Sequence, residues 1–390
     1  MYERQPKSMG QHMTKIALRN IWFQFHKWIG LLLAILIIPL CVSGFALVWH
    51  DALDEAVNPQ RFAISGTEAQ LSPAAYAQAA ASVLEPGERI ASIQMKAGEP
   101  VIVTAARPAP KTQQRGRPVR TLVWIDPPTG KVLDSAGSNE GLVRVLHNLH
   151  GNLMVPGIGR QIVGWIGVAM LISSVSGLWL WWPTAGSLAR AFRWKRHRNV
   201  DTNLHHQFGF WIALPLFVLS LTGVWISFPS FFGAISGDAR TQSAGGPQAM
   251  MARMRAQPLG NPAQSINAVV KSAATLNPGP VQAIEWPTDQ KPEWTLSYAG
   301  KTKPGSVTVE DASGIAKAAK ERPQQPETTA RLMRRIHDGT GMGAVWQVII
   351  FLGGVLPTTL AVTGVIMWWR ARGWRGERAA RQKAKKVTTA

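Results

Sequence analysis

His26-Lys27-Trp28-Ile29-Gly30 opens one long apolar stretch of the sequence, and His205-His206-Gln207-Phe208-Gly209 opens another. Each leading histidine is followed, eighteen residues on, by the glycine of a related string: Val42-Ser43-Gly44-Phe45 in the first stretch and Leu221-Thr222-Gly223-Val224 in the second. Two further stretches match in the same way, Val175-Ser176-Gly177-Leu178 with Trp181-Trp182 answering Val362-Thr363-Gly364-Val365 with Trp368-Trp369. Self-similarity at a fixed offset marks a chain built from repeats. Carried back along the chain, the second offset pairs His150 with His337, Arg144 with Arg331, and His147 with Arg334.

All four stretches are long enough for a hydrocarbon core that takes about 20 apolar residues. The expected spans are 28–49, 161–182, 207–228 and 346–369. The first starts late and lacks a small-residue cleavage site after it, so it reads as a retained helix and not a signal peptide. The formal net charge of +20 points to membrane orientation, with no nucleic-acid partner expected. Residues 1–27, 183–204 and 370–390 carry the Lys and Arg excess against only Glu3, Asp201 and Glu377. By the positive-inside rule these segments are cytoplasmic, both termini included. The lipid bilayer is one partner, and the bacterial inner membrane is the expected location.

The longer segments between spans, 50–160 and 229–345, would then lie on the periplasmic side. Each reads as a small α+β module. A helix over 73–84 precedes strands near 89–95, 100–106 and 120–125 and a turn at Asp126-Pro127-Pro128-Thr129-Gly130. A helix over 262–276 precedes strands near 281–286, 293–298 and 305–310 and a turn at Asp311-Ala312-Ser313-Gly314. Alternating apolar residues bounded by Gly, Pro and Asp carry that reading. Stretches 107–118 and 240–263, rich in Pro, Gly, Arg and Gln, are expected to be flexible excursions. The fold class is therefore a membrane all-α four-helix bundle of two internal repeats, with two small periplasmic α+β modules. The cytoplasmic loop between the second and third spans is 183–206.

Of the nine histidines, His26 and His205 stand at the cytoplasmic starts of two spans, and His150 and His337 at the periplasmic approaches to the other two. Ionisable groups at such places are costly and usually functional. Paired imidazoles on facing helices suit the iron of a b-type haem held inside a bundle. The expected cofactors are two haem b, with iron held by His26 and His205 on one face and by His150 and His337 on the other. His206 and His147 are the alternative ligands. The single cysteine, Cys41, excludes covalent haem attachment through Cys-x-x-Cys-His and any disulfide role. Two histidines per site are too few for zinc without further ligands.

His150 lies too far ahead of Trp182 for one straight helix, so Pro156-Gly157-Ile158-Gly159 and Gly339-Thr340-Gly341-Met342-Gly343 are expected to break the chain. That leaves His150 and His337 on short helices dipping against the bundle. The glycine run is no dinucleotide loop, since no strand precedes it. Arg144, Arg331 and Arg334 are candidate partners for haem propionates or an anionic substrate, or a cationic face on lipid headgroups. His12 and His197 read as solvated, His50 as an interfacial residue, and Met250, Met251 and Met254 as loop residues.

The His-x-x-x-Gly strings at His26/Gly30 and His205/Gly209, the Ser/Thr-Gly strings followed by Trp-Trp, the four spans and the paired modules resemble the PepSY-associated transmembrane family over nearly the whole chain. Within it the chain is similar to FoxB-type ferric-siderophore reductases. That resemblance implies two PepSY-like modules, two haems and reduction of Fe(III)-siderophore in the periplasm. No flavin or nicotinamide domain is visible, so electrons would come from a separate cytoplasmic reductase or from quinol. A non-enzymatic electron relay to a periplasmic protein, and a haem-free scaffold binding a protease, remain the alternatives.

Overall fold

The computed structural model describes residues 15–107, 118–182, 192–194, 197–237, 255–300, 304–319 and 327–388. Of the excursions expected over 107–118 and 240–263, residues 108–117 and 240–254 lie outside the described residues, as do His12 and the three loop methionines, while 258–263 is tied down by the Pro258–Thr288 bridge and the Leu259 and Ala263 backbone hydrogen bonds. The chain divides into two units, Met1–Trp49 with Leu146–Asp238 and Thr328–Ala390, and His50–Val145 with Ala239–Glu327.

The first unit is built on four long helices, α1 (Lys15–Leu47), α5 (Gly159–Trp181), α6 (Val200–Ser227) and α10 (Ala344–Thr388), with the short α7 (Pro229–Ser236) following α6. All four are long and apolar enough to cross a membrane, over Ile16–Leu47, Gly159–Trp181, Val200–Ser227 and Gly343–Trp374. Their burial pattern is inverted relative to a water-soluble bundle. Leu32, Ile35, Leu214 and Trp369 point outward, while Ser43, Ser176, Thr222 and Thr363 are buried. Apolar surface facing outward costs nothing when the solvent is lipid, and polar groups then gather inside where they find partners. The chain is a multi-pass membrane protein.

α1 packs on α5 and α10, and α6 packs on the same two helices, so α1 and α6 stand diagonally across the bundle. Two of the helices begin well before the apolar windows read from sequence. α1 starts at Lys15 and α6 at Val200, which places His26 and His205 inside helices and not at their first turns. Hydropathy marks where lipid begins; helix-forming polar residues carry the helix further.

The second unit is one antiparallel sheet of eight strands in the order β4-β3-β2-β1-β5-β6-β7-β8. The first half consists of α2 (His50–Val57), α3 (Pro73–Ala81), β1 (Arg89–Gln94), β2 (Val101–Ala106), β3 (Arg120–Ile125) and β4 (Val132–Gly137). The second consists of α8 (Ile266–Ala274), β5 (Val281–Glu285), β6 (Glu293–Tyr298), β7 (Ser306–Glu310) and β8 (Ala316–Ala318). Sequence reading gave two separate modules; the structure joins them through β1 and β5, with Ile93 opposite Ile284. Each of these strands is otherwise an open edge of unpaired N–H and C=O groups, and pairing them removes both edges.

The two halves are pinned alike. Ser72 and Ser265 cap α3 and α8, accepting from the backbone N–H of Ala75 and Ala268. Asp126 at the end of β3 accepts from Ser65 and Thr129, and Asp311 at the end of β7 accepts from the N–H groups of Ala263 and Gln264 and from Trp294 Nε1. Burial alone would raise both carboxyls, but these hydrogen bonds outweigh it and hold both below their ordinary range. A depressed folded-state pKa stabilises above the unfolded value and is lost as pH falls through the folded one.

Replacing Asp311 by Ala leaves the fully buried Trp294 without its acceptor. Loss of a charged hydrogen bond of about 1–3 kcal/mol should raise hydrogen–deuterium exchange roughly tenfold or more in 263–266 and 293–298, with peptides of α5 and α6 unchanged. Acidification of the unsubstituted protein through the carboxylate range should give the same local pattern.

Candidate functional site

Four imidazoles dock on four Ser/Thr-Gly dipeptides, each on a different helix from the histidine. His26 of α1 sits on Ser176-Gly177 of α5, and His205 of α6 on Thr363-Gly364 of α10. His150, on α4 (Leu142–Asn152), sits on Ser43-Gly44 of α1. His337, on α9 (Thr329–Asp338), sits on Thr222-Gly223 of α6.

At three of these glycines, Gly44, Gly177 and Gly223, a ring edge crowds the place of a side chain, while Gly364 meets its ring at ordinary contact distance. A Cβ added at Gly44 would stand 2.7 Å from His150 Cε1; at Gly177 and Gly223 it would stand 3.1 Å from the Cε1 of His26 and His337, and at Gly364 3.5 Å from that of His205. The hydrogen bonds follow one rule. The His150 Nδ1–H donates to the Leu40 carbonyl at 2.9 Å and the His337 Nδ1–H to the Leu219 carbonyl at 3.1 Å. The rings of His26 and His205 bond the backbone at Ser173 and Leu360. In every case the carbonyl lies four residues before the notch glycine. The neighbouring hydroxyl of Ser43, Ser176, Thr222 or Thr363 donates to the same carbonyl.

A carbonyl only accepts, so Nδ1 carries the proton and the lone pair falls on Nε2. Burial holds the His150 ring below its ordinary range, and burial with the neighbouring His150 pushes His337 down to about 4.

The four rings form two pairs. His26 and His205 have ring centroids 6.5 Å apart with planes at 89°, and His150 and His337 6.0 Å apart at 39°. His26 and the notch at Gly44 are eighteen residues apart on α1, so the pairs are separated by about 27 Å along the helix axis at 1.5 Å per residue. The first pair faces a cavity of about 840 Å³ whose wall includes Gly30, Gly177, Gly209 and Gly364. A Cβ at Gly30 would meet nothing within 4 Å, and one at Gly209 only Leu360 at 3.9 Å. One turn beyond each histidine, the His-x-x-x-Gly glycine thus leaves the cavity wall bare.

The alternative ligands stand apart from these pairs. His206 lines the same cavity but stacks on His197, with centroids 4.4 Å apart. His147 is exposed one turn before His150. His50 starts α2 beside Asp51, in the sheet unit. Arg331 and Arg334 are exposed on α9, and Arg144 lies on the first turn of α4. α4 and α9 are short helices outside the spans. Positive φ at Gly157 ends the loop after α4, and Gly339, Gly341 and Gly343 make the corresponding turn after α9. Among the described residues no three His, Cys, Asp or Glu side chains gather around one point, so each pair offers two protein ligands.

The family described as PepSY-associated TM region matches residues 23–371, a span that includes all four paired histidines and their notches. The chain belongs to the PepSY-associated transmembrane family. No curated protein matches it. In this family member the Ser/Thr-Gly strings were visible in the sequence as a recurrence, but nothing there said that each receives a histidine from another helix.

Because the notches differ in tightness, alanine should discriminate among them. Gly44→Ala forces the His150 ring out and should destabilise the bundle by about 1–3 kcal/mol, the usual cost of overpacking. Gly364→Ala has room, and the helix-propensity gain of about 1 kcal/mol over glycine should leave it neutral or slightly more stable. Thermal melts in detergent read the difference.

Proposed function

We propose that the chain is a di-haem b-type reductase of the bacterial inner membrane, which carries electrons from the cytoplasmic side to an Fe(III)-siderophore in the periplasm and releases Fe(II). The observation supporting this reading is the pairing of four histidines, each with Nδ1 anchored to a helix and Nε2 left with its lone pair. If haem is bound, each pair would hold its iron through the two Nε2 atoms, which needs the two rings to lie close enough to share one ion. The observed separations are 6.5 and 6.0 Å. The cavity at the first pair, about 840 Å³, falls within the range of about 300–1,000 Å³ usual for cofactor pockets.

On this reading His26 and His205 hold one haem and His150 and His337 the other. Bound there, haem b supplies a reversible one-electron couple. The chain's own work is to hold the rings. Each Nδ1 proton stays on a carbonyl that the helix supplies, which fixes the tautomer and the ring orientation through a change of charge. Burial among the helices keeps water from the rings of both pairs, the second pair being carried on α4 and α9 outside the spans. The excess of Lys and Arg at 1–27, 183–204 and 370–390 orients the first pair to the cytoplasm, and the sheet unit is periplasmic. The matched offsets make the chain an internal duplication, with one PepSY-like module and one histidine of each pair in each half.

Fe(III) in a siderophore is a hard ion held by hard oxygen donors; one electron converts it to Fe(II), for which those donors are poorer, and the metal leaves. No acid, base or nucleophile is required of the protein. The donor on the cytoplasmic side is a separate reductase or quinol.

The visible spectrum of the purified protein tests the reading. Two haems per chain are expected, with His26→Ala and His337→Ala each retaining about one. Dithionite-reduced protein should be reoxidised by ferric siderophore. Reoxidation only by a periplasmic protein would make the chain a relay, and protein without a Soret band after expression with ample haem would leave a haem-free scaffold.

A further inference from the structure

Arg61, Arg107 and Arg370 each reach a carboxylate. Arg160 and Arg334 reach none among the described residues, and both approach the second histidine pair, from α5 and α9 respectively. α9 carries Arg331, Arg334 and His337 at three-residue steps, so successive turns present them along one side of the helix. Arg334 is exposed one turn from His337.

Arg160 arrives from another element. It is the second residue of α5, and its guanidinium donates to the Ile226 carbonyl near the end of α6. That carbonyl is three residues beyond Gly223, on which the His337 ring lies. Arg334 is near enough to act electrostatically on both Arg160 and His337.

Two guanidiniums that approach the same end of α6, one through the Ile226 carbonyl and one on the turn before His337, repel one another, and the positive end of the α5 dipole adds to the same field. One of them is anchored by a backbone carbonyl. An anion relieves the arrangement. The planar fork of arginine matches a carboxylate with two parallel N–H···O bonds, and the solvent-facing position leaves room for one to enter.

We propose that Arg160 and Arg334 form a carboxylate-binding clamp at the rim of the His150/His337 pair. The clamp rests on the haem reading only for the source of the carboxylate, which is either a propionate of the bound haem or a carboxylate of an incoming ferric chelate.

Redox titration and citrate binding by calorimetry, on the haem-loaded full chain in detergent, separate the sources. The variants are Arg160→Gln and Arg334→Gln, with the two centres told apart in a His26→Ala background that keeps the second. If the carboxylate is the cofactor's own, each substitution lowers the midpoint potential of that centre, because an uncompensated carboxylate favours the ferric state. Citrate binding is then the same in all forms. If the carboxylate is brought by the ligand, potentials stay and citrate binding weakens about tenfold or more, as loss of a charge-assisted pair predicts. Arg→Lys variants, which keep the charge, should shift in the same direction by less, and they serve where a glutamine variant does not fold. Unchanged potentials with unchanged citrate affinity overturn the clamp. A protein without a Soret band overturns the haem reading instead, and citrate binding to that haem-free protein then decides the clamp.

Discussion

The interaction on which the bundle depends is a hydrogen bond from an imidazole Nδ1–H to a helix carbonyl already engaged inside its own helix. An imidazole carried between apolar helices without a partner is expensive to bury. Here the partner is supplied by the facing helix at the one place where backbone can be reached, the turn ahead of a glycine. The Ser or Thr before that glycine bonds back to the same carbonyl, a local pattern that loosens and slightly bends a helix. The second lone pair of the carbonyl is thereby offered toward the notch. Each of the four paired histidines therefore ties two helices: α1 to α5, α6 to α10, α4 to α1, and α9 to α6.

Because the anchors are the same groups that join the helices, assembling the bundle and orienting the rings are one event. No ring depends on a loop for its position. The residue that must be small and the residue that must be histidine lie on different elements and meet only in three dimensions. Neither has a role alone: Gly30 borders open space and Gly44 is filled by His150, although both are glycines in the same helix.

Much of this was legible in the sequence. The spans, the four paired histidines and the recurrence of Ser/Thr-Gly can all be read from residue order, and His150 was separable from His147 because the matching position is arginine. What the offset between halves cannot say is which residues touch. It pairs His150 with His337 and Gly44 with Gly223, whereas the structure seats His150 on Gly44 and His337 on Gly223. The edge strands β4 and β8 carry little sequence signal, because Val132-Leu133-Asp134-Ser135-Ala136-Gly137 has little apolar alternation and Ala316-Lys317-Ala318 is only three residues long. The β1–β5 pairing escaped notice because it joins strands almost two hundred residues apart, and an open edge carries no sequence mark of its partner. Arg160 drew no attention because a single cation at a span end is ordinary; its meaning comes from Arg334 on another helix.

The two pairs differ in how the chain reaches them. His26 and His205 belong to helices that span, so their positions are set by the bundle alone. His150 and His337 belong to short helices that the sheet unit feeds directly. β4 ends at Gly137 and α4 begins at Leu142, while α9 follows β8 in chain order. Each half of the sheet thus leads by covalent connection into one histidine of the second pair. After each of these short helices the chain breaks at residues with positive φ, Leu153, Met154 and Gly157 on one side and Gly339, Gly341 and Gly343 on the other. The second pair is held to the bundle by the notch contacts at Gly44 and Gly223 and, on the α9 side, by the Trp346 Nε1–H donating to the Ile336 carbonyl.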